Sequence, residues 1–234
     1  MFDQWTVFYQ PELVMKKIAV ILSGCGVYDG AEISESVLTL LALSRAGAQF
    51  SCFAPDIPQH HVINHCTGEP VSGEARNVLV ESARITRGEI KPLSELQVAD
   101  FDGVVLPGGY GAAKNLCSLA FDGDNYKANE ALATLLQAFH TSGKALGFMC
   151  IAPAVAASAL GSANPSLTIG NDANTAAILS AKGAKMKTAN VTGVVIDEEN
   201  KIVSTPAYML ADNLVDLEKG ITEMIRVLLE LADT

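Results

Sequence analysis

Short apolar runs alternate with longer stretches of helical periodicity from residue 17 onward. The runs are continuous rather than interrupted by polar positions, as in parallel strands whose two faces are both buried. We predict strands at 18–22, 49–54, 101–106 and 145–149, and a hairpin formed by 191–196 and 201–204. Strands separated by helices predict an α/β fold in which helices cover both faces of a mostly parallel sheet.

The stretches between the strands carry apolar residues at helical spacing. From residue 32 to residue 46, Ile33, Val37 and Leu40 recur on one period, and the pattern stops before Gly47. Similar patterns predict helices over 129–140 and 210–231. The order of strands and helices therefore fits repeated βα units.

Cys150 follows the apolar run 145–149 and precedes small residues that open a helix. This pattern is typical of a nucleophile elbow, in which a side chain on a tight turn projects above the carboxyl end of the sheet. The helix amides behind such a cysteine favour its thiolate form. The alternative is a buried thiol that packs as a small apolar side chain.

Sites in open parallel sheets lie outside the carboxyl ends of the strands. Besides the elbow, the segments 23–32, 107–115 and 205–208 fall there. The Gly109 and Ile151 N–H groups are candidates for an oxyanion site beside the Cys150 sulfur, although 107–109 is also an ordinary tight turn. The glycines near residue 24 lack the third glycine of a dinucleotide loop, so we expect no nucleotide cofactor.

Length and composition limit the architecture. The chain has 234 residues, of which 49% are hydrophobic, and this is enough for one substantial core. We predict a single domain over 15–234. Residues 1–14 differ in character from the rest of the chain and are interpreted as an N-terminal extension.

Cysteine spacing and charge limit the partners. The five cysteines are scattered without CxxC spacing, so we predict neither a disulfide framework nor a metal site, and we expect a reducing compartment. A formal charge of −10 argues against a nucleic-acid partner. No apolar run approaches the ~20 residues of a membrane span, and the first residues lack a signal-peptide pattern. We therefore expect a cytoplasmic protein without nucleic-acid or membrane partners.

Several motifs together carry a resemblance to a known family. GAEISE at 30–35, PGG at 107–109 and the Cys150 elbow resemble the class I glutamine amidotransferase-like superfamily in its PfpI-type branch. Within that branch the chain resembles the enhancing lycopene biosynthesis family, also called the sigma cross-reacting protein family. The motifs that carry the closer resemblance are NH at 64–65, TGE at 67–69, RITRGEI at 84–90, GAAKN at 111–115, GFMCIAPA at 147–154 and TPAYML at 205–210.

The resemblance implies a flavodoxin-like three-layer sandwich and a role for Glu35. It implies that a glutamate from the first helix lies against the thiol, and the motif places Glu35 rather than Glu32 in that position. We expect burial to raise the pKa of Glu35, so that it acts as a general acid and base. From its residue type alone, Glu35 could equally lie on a solvated helix face. The resemblance further implies a glyoxalase that needs no cofactor and converts glyoxal, or methylglyoxal, to a 2-hydroxy acid.

The chain departs from other branches of the superfamily. All four histidines precede Cys150, which excludes the Cys-His-Glu triad of a glutaminase, and Ile151 stands where protease-like relatives place histidine. His65 is the best substitute proton carrier, although a lone histidine is more often structural. Lys114 and Asn115 are further candidates for substrate contact or proton relay, with a solvated surface position as the alternative for Lys114.

Two further hypotheses stay open at this point. Cys150 could be a non-catalytic redox sensor or part of a stress or binding protein linked indirectly to isoprenoid metabolism, with Cys25 or Cys117 resolving a sulfenate. The basic segment 56–93 could form a lid, an anion-binding wall or a dimer contact. Relatives in the superfamily commonly pair, so we expect a homodimer.

Overall fold

Seven strands form the central sheet of the computed structural model, which describes residues 15–234. The predicted extension at 1–14 lies outside the described residues. In chain order, the strands are β1 Lys17–Ile21, β2 Gln49–Ala54, β3 Ile63–Asn64, β4 Glu69–Pro70, β5 Ile90–Pro92, β6 Gly103–Leu106, β7 Ala145–Met149, β8 Ser166–Leu167, β9 Lys185–Met186, β10 Val195–Asp197 and β11 Ile202–Thr205.

The sheet order is β10-β11-β7-β6-β1-β2-β5. All neighbouring pairs are parallel except β10 with β11, which form the predicted antiparallel hairpin. The short pairs β3–β4 and β8–β9 stand outside this sheet and were not predicted. The mostly parallel α/β architecture is therefore confirmed.

Helices cover both faces and complete three layers. They are α1 Ile33–Arg45, α2 Val78–Ser82, α3 Leu119–Asp122, α4 Glu130–Thr141, α5 Pro153–Leu160, α6 Ala173–Ala181 and α7 Leu214–Asp233, with a π-helical turn at Ala112–Leu116. Helices α1 and α7 pack together on one face, and α4 and α5 pack on the other. Within residues 15–234, no helix combines the length and apolar character that crossing a membrane requires.

Strand β1 shows why the apolar runs are continuous. Ile18 and Val20 belong to the core beneath α1 and α7, whereas Ala19 and Ile21 belong to the core beneath α4 and α5, and all four are fully buried. Successive side chains of a strand point to opposite faces, so a strand covered on both sides needs apolar residues at every position.

The last helix begins later than its periodicity predicts. Residues Ala207–Met209 form a separate 3₁₀ turn, and Asn213 then caps α7 by accepting the N–H groups of Val215 and Asp216. The apolar residues that precede Asn213 therefore belong to the turn after β11, close to the carboxyl end of the sheet.

Candidate active site

The four segments expected at the carboxyl ends of the strands meet in one place. They follow β1, β6, β7 and β11, which are neighbours in the sheet. The Gly111 N–H donates to the Gly30 carbonyl at 2.8 Å, which joins the first two loops. The Cys150 N–H donates to the Thr205 carbonyl at 3.1 Å, which joins the last two. A parallel sheet thus brings residues distant in sequence to one edge.

Cys150 occupies the strained turn that the elbow pattern predicts. Its φ is +58°, a conformation that residues with a Cβ rarely adopt. Helix α5 starts directly afterwards with Pro153 in its first turn, where a missing N–H costs no hydrogen bond. The residue is 8% exposed, so its thiol is almost completely buried.

Glu35 points from the first turn of α1 towards the same thiol. Its carboxyl group is fully buried and faces the Cys150 side chain, whose pKa it raises. The Gly108 N–H donates to Glu35 Oε2 at 2.8 Å, and the Tyr208 N–H donates to Glu35 Oε1 at 3.2 Å. A Cβ at position 108 would lie 2.5 Å from the Cβ of Cys150, so the contact requires glycine there.

Both members of this pair hold their protons more tightly than usual. Burial, and then the charge of Glu32, raises the pKa of Glu35 from its ordinary 4.5 to about 7. Burial, and then the Glu35 carboxylate, raises the pKa of Cys150 well above its ordinary 9.0. Our expectation that the elbow lowers the pKa of the thiol is therefore reversed, because desolvation outweighs the helix amides.

The Gly109 and Ile151 N–H groups both donate towards the Cys150 sulfur, which favours its anionic form. Gly109 has a φ of +90°, and a Cβ there would lie 2.4 Å from the Glu32 nitrogen. The structure thus brings together Cys150, Glu35 and the two predicted amides. An oxygen bound to the substrate carbon next to sulfur would lie close to the same donors.

The three candidate relay residues lie around the loop after β1. Asn115 donates to the Ser23 and Asp29 carbonyls, each at 2.9 Å, and accepts the His60 N–H at 3.0 Å. Lys114 Nζ donates to the Tyr28 carbonyl at 2.7 Å. These hydrogen bonds hold loops together and do not involve Cys150 or Glu35.

His65 is likewise engaged with the backbone. Its Nδ1 lies 3.1 Å from the Ile63 carbonyl, and its Nε2 accepts the Tyr28 N–H at 3.2 Å. The ring therefore carries its proton on Nδ1 in this arrangement. The role of His65 as a proton carrier stays a prediction.

Three contributors to the site were not singled out by sequence reasoning. The amides of Gly108 and Tyr208 bind Glu35, and the Glu32 side chain caps α1 by accepting the Glu35 N–H at 2.6 Å. Backbone donors leave no signature in residue type. The Glu32 cap does have a signal, since an acceptor side chain three residues before a helical N–H is the usual capping geometry.

The other two thiols considered for redox chemistry differ from Cys150. Cys117 packs in the core beneath α4 and α5, on the opposite face from Cys150, and burial raises its pKa to about 12. Burial and the nearby Glu81 carboxylate also raise the pKa of Cys25. The pKa of each is raised, as is that of Cys150, so what distinguishes Cys150 is its position in the elbow beside Glu35.

The basic middle segment does not form one helical face. Helix α2 ends at Ser82, and Arg87 lies beyond it in a turn with φ of +58°. Arg84 pairs with the buried Glu81 at 2.9 Å. Arg84 and Arg87 therefore do not share a helix.

Comparison with known proteins identifies relatives over most of the chain, although no protein-family profile matches it. A human protein named glutamine amidotransferase-like class 1 domain-containing protein 3, mitochondrial, is 46% identical over 224 residues, covering 92% of this chain and 83% of the human protein. The rat ES1 protein homolog, mitochondrial, is 45% identical and covers 92% of this chain and 84% of its own.

Solved structures agree with this relationship. An isoprenoid biosynthesis protein with an amidotransferase-like domain from Ehrlichia chaffeensis has a TM-score of 0.86 at 39% identity, covering 92% of this chain and 99% of that one. Drosophila melanogaster DJ-1beta matches with a TM-score of 0.52 at 20% identity, covering 94% of this chain and 96% of its own, which shows a shared fold.

These relatives correct one expectation and confirm another. The cytoplasmic assignment is contradicted, because the human and rat relatives are both named as mitochondrial proteins. Cysteine spacing could not distinguish the cytoplasm from the mitochondrion, because it contains no targeting information. The family resemblance is confirmed, and the chain belongs to the ES1 family of class I glutamine amidotransferase-like proteins, with the DJ-1/PfpI fold.

Proposed function

We propose that the protein is a glyoxalase that acts without cofactor, using Cys150 as nucleophile and Glu35 as proton carrier. The observation that carries the proposal is the buried Glu35 carboxyl group placed against Cys150 beside the Gly108 turn, with the Gly109 and Ile151 amides directed at the sulfur. The DJ-1/PfpI superfamily includes enzymes. A small dicarbonyl suits the site because the thiol is nearly buried.

The reaction begins when the Cys150 sulfur bonds to one aldehyde carbon of glyoxal. Glu35 takes the thiol proton and passes it to the carbonyl oxygen, which gives a hemithioacetal. The Gly109 and Ile151 amides stabilise the negative charge on that oxygen while it develops.

Glu35 then removes the C–H proton from the carbon attached to sulfur. The electrons of that bond form an enediol, and the proton returns to the neighbouring carbon, which leaves a glycolate thioester. Water cleaves the S–C bond, releases glycolate and restores the thiol. One carbon is oxidised and the other is reduced, so the sequence balances without an external oxidant. A carboxyl group with a pKa of about 7 suits both proton donation and acceptance at neutral pH.

The direct test measures glyoxal consumption and glycolate formation without glutathione. We expect Cys150→Ser and Glu35→Gln each to lower turnover by about 10²-fold or more. Cys66→Ser is the matched control, because Cys66 is an exposed thiol and small dicarbonyls react with exposed thiols in general. Wild-type turnover in Cys150→Ser would refute the proposal.

One observation favours a second function, a redox sensor. The Gly109 and Ile151 amides, together with a protonated Glu35, would also stabilise a sulfinate on Cys150. Mass spectrometry after treatment with dilute peroxide would then show two added oxygens on Cys150 of the wild type. The yield of this product would be lower in Glu35→Gln. Sulfinate formation without glyoxal turnover would favour this alternative over the glyoxalase.

A further inference from the structure

Glu32 is joined to the active site by a closed ring of hydrogen bonds. Its N–H donates to the Gly108 carbonyl at 3.0 Å, and the Gly108 N–H donates to Glu35 Oε2 at 2.8 Å. The Glu35 N–H donates to Glu32 Oε2 at 2.6 Å, which closes the ring. The Glu32 carboxylate is therefore fixed relative to both the Glu35 carboxyl group and the glycine turn above Cys150.

Capping alone does not require a glutamate at position 32. Ser, Thr, Asp and Asn are preferred N-caps, and α4, α6 and α7 use Asn or Asp in this way. Only α1 among these helices is capped by a glutamate, and its next acidic residue is the buried Glu35. A neutral serine would satisfy the same N–H without bringing a charge to the site.

The groups that face Glu35 act in opposite directions. The Gly108 and Tyr208 amides favour its ionised form, whereas burial and the Glu32 charge oppose it. Cys150 lies against Glu35 beside the Gly108 turn. Like charges close together disfavour a second ionisation, and the fully buried position of Glu35 limits screening by solvent.

We propose that Glu32 is a positioning residue whose fixed negative charge keeps the proton on Glu35 near neutral pH. The pair of Glu35 and Cys150 then retains a proton for transfer to the substrate oxygen. Without that charge, Glu35 ionises at lower pH and is a weaker base for the Cys150 thiol proton. The inference rests on the proposed use of Glu35 as a proton carrier, but its test needs no turnover.

The test follows the carboxyl ¹³C resonance of Glu35 against pH in protein labelled at glutamate. The resonance is assigned by its absence in Glu35→Gln. In Glu32→Gln, which retains an acceptor for the cap, we expect the Glu35 midpoint to fall by roughly half to one pH unit, a reduced effect because Glu32 is partly exposed. Glu32→Ser, with a preferred neutral cap, should give the same shift and serves if Glu32→Gln folds poorly.

A matched control removes a capping charge elsewhere. Asp172 caps α6 by accepting the Thr175 N–H at 2.7 Å, so Asp172→Asn makes the same kind of change outside the site. It should leave the Glu35 midpoint unchanged. A wild-type midpoint in both Glu32 variants would overturn the inference. Absent glyoxal turnover in the wild type with a shifted midpoint in the variants would refute the glyoxalase and leave the Glu32 inference standing.

Discussion

Replacing Glu35 by Gln should change how stability depends on pH. The folded protein keeps the Glu35 proton up to a pH of about 7, whereas the unfolded chain releases it near 4.5. Between these values the folded state binds more protons, so the free energy of unfolding falls as pH rises. The stabilising contribution of the protonated carboxyl group is complete below pH 4.5 and is lost by the time pH passes 7.

The size of the effect is set by the raised pKa. A change from 4.5 to about 7 in a fully buried group corresponds to about 3 kcal/mol of unfolding free energy between pH 4 and pH 8. Glu35→Gln has no proton to lose. Its amide nitrogen faces an N–H donor from Gly108 or Tyr208, which lowers stability by an amount that does not vary with pH.

Thermal unfolding of wild type and Glu35→Gln, measured together from pH 4 to pH 8, isolates this contribution because all other titrating groups cancel. The wild-type Tm should fall relative to that of the variant by about 6 °C across the range, at about 2 °C per kcal/mol for a chain of this length. Glu198→Gln alters the exposed turn after β10, and the difference between its Tm and that of the wild type should stay constant from pH 4 to pH 8. A constant difference between wild type and Glu35→Gln would show that Glu35 does not bury a proton.

Three further results would test the geometry. Gly108→Ala places a Cβ 2.5 Å from that of Cys150, so glyoxal turnover should fall at least about tenfold and the unfolding free energy by about 1–3 kcal/mol; unchanged kinetics would contradict the close packing. Asn115→Ala removes three hydrogen bonds to backbone and should lower the unfolding free energy by about 2–4 kcal/mol, whereas lost turnover at unchanged stability would instead support a relay role. Iodoacetamide should label Cys66 well before Cys117 in the folded protein, as peptide mass spectrometry would measure, and equal rates would contradict the burial of Cys117.

The strands were predictable because their burial leaves a direct mark on the sequence. Strand β7 lies between two neighbours and under helices on both faces, and its five residues are all buried. Such a strand needs an apolar residue at every position. Because the apolar run ends next to Cys150, it also located the elbow. The small pairs β3–β4 and β8–β9 have no such mark, since two-residue strands produce no period.

Glu35 could be identified only through the family resemblance, and α1 explains why. An amphipathic pattern normally turns its apolar stripe inward. In the first turns of α1 that stripe faces solvent, since Ile33 and Val37 are each 47% exposed, whereas Leu40 further along packs against the core. Local periodicity therefore predicts the helix correctly but not which side of its first turns is buried.

The buried side of the first turns of α1 instead carries polar side chains, and their hydroxyl groups donate to carbonyls of the same helix. The Thr39 hydroxyl donates to the Glu35 carbonyl and the Ser36 hydroxyl donates to the Glu32 carbonyl, each at 2.7 Å. Such back-bonding allows hydroxyl groups to be buried without partners from other elements. The orientation of α1 that buries Thr39 also buries Glu35, whose carboxyl oxygens accept hydrogen bonds from the Gly108 and Tyr208 amides. A helix that packed by its apolar stripe would hold Glu35 in water, with a lower pKa and away from Cys150, so the departure from the usual pattern is what assembles the site.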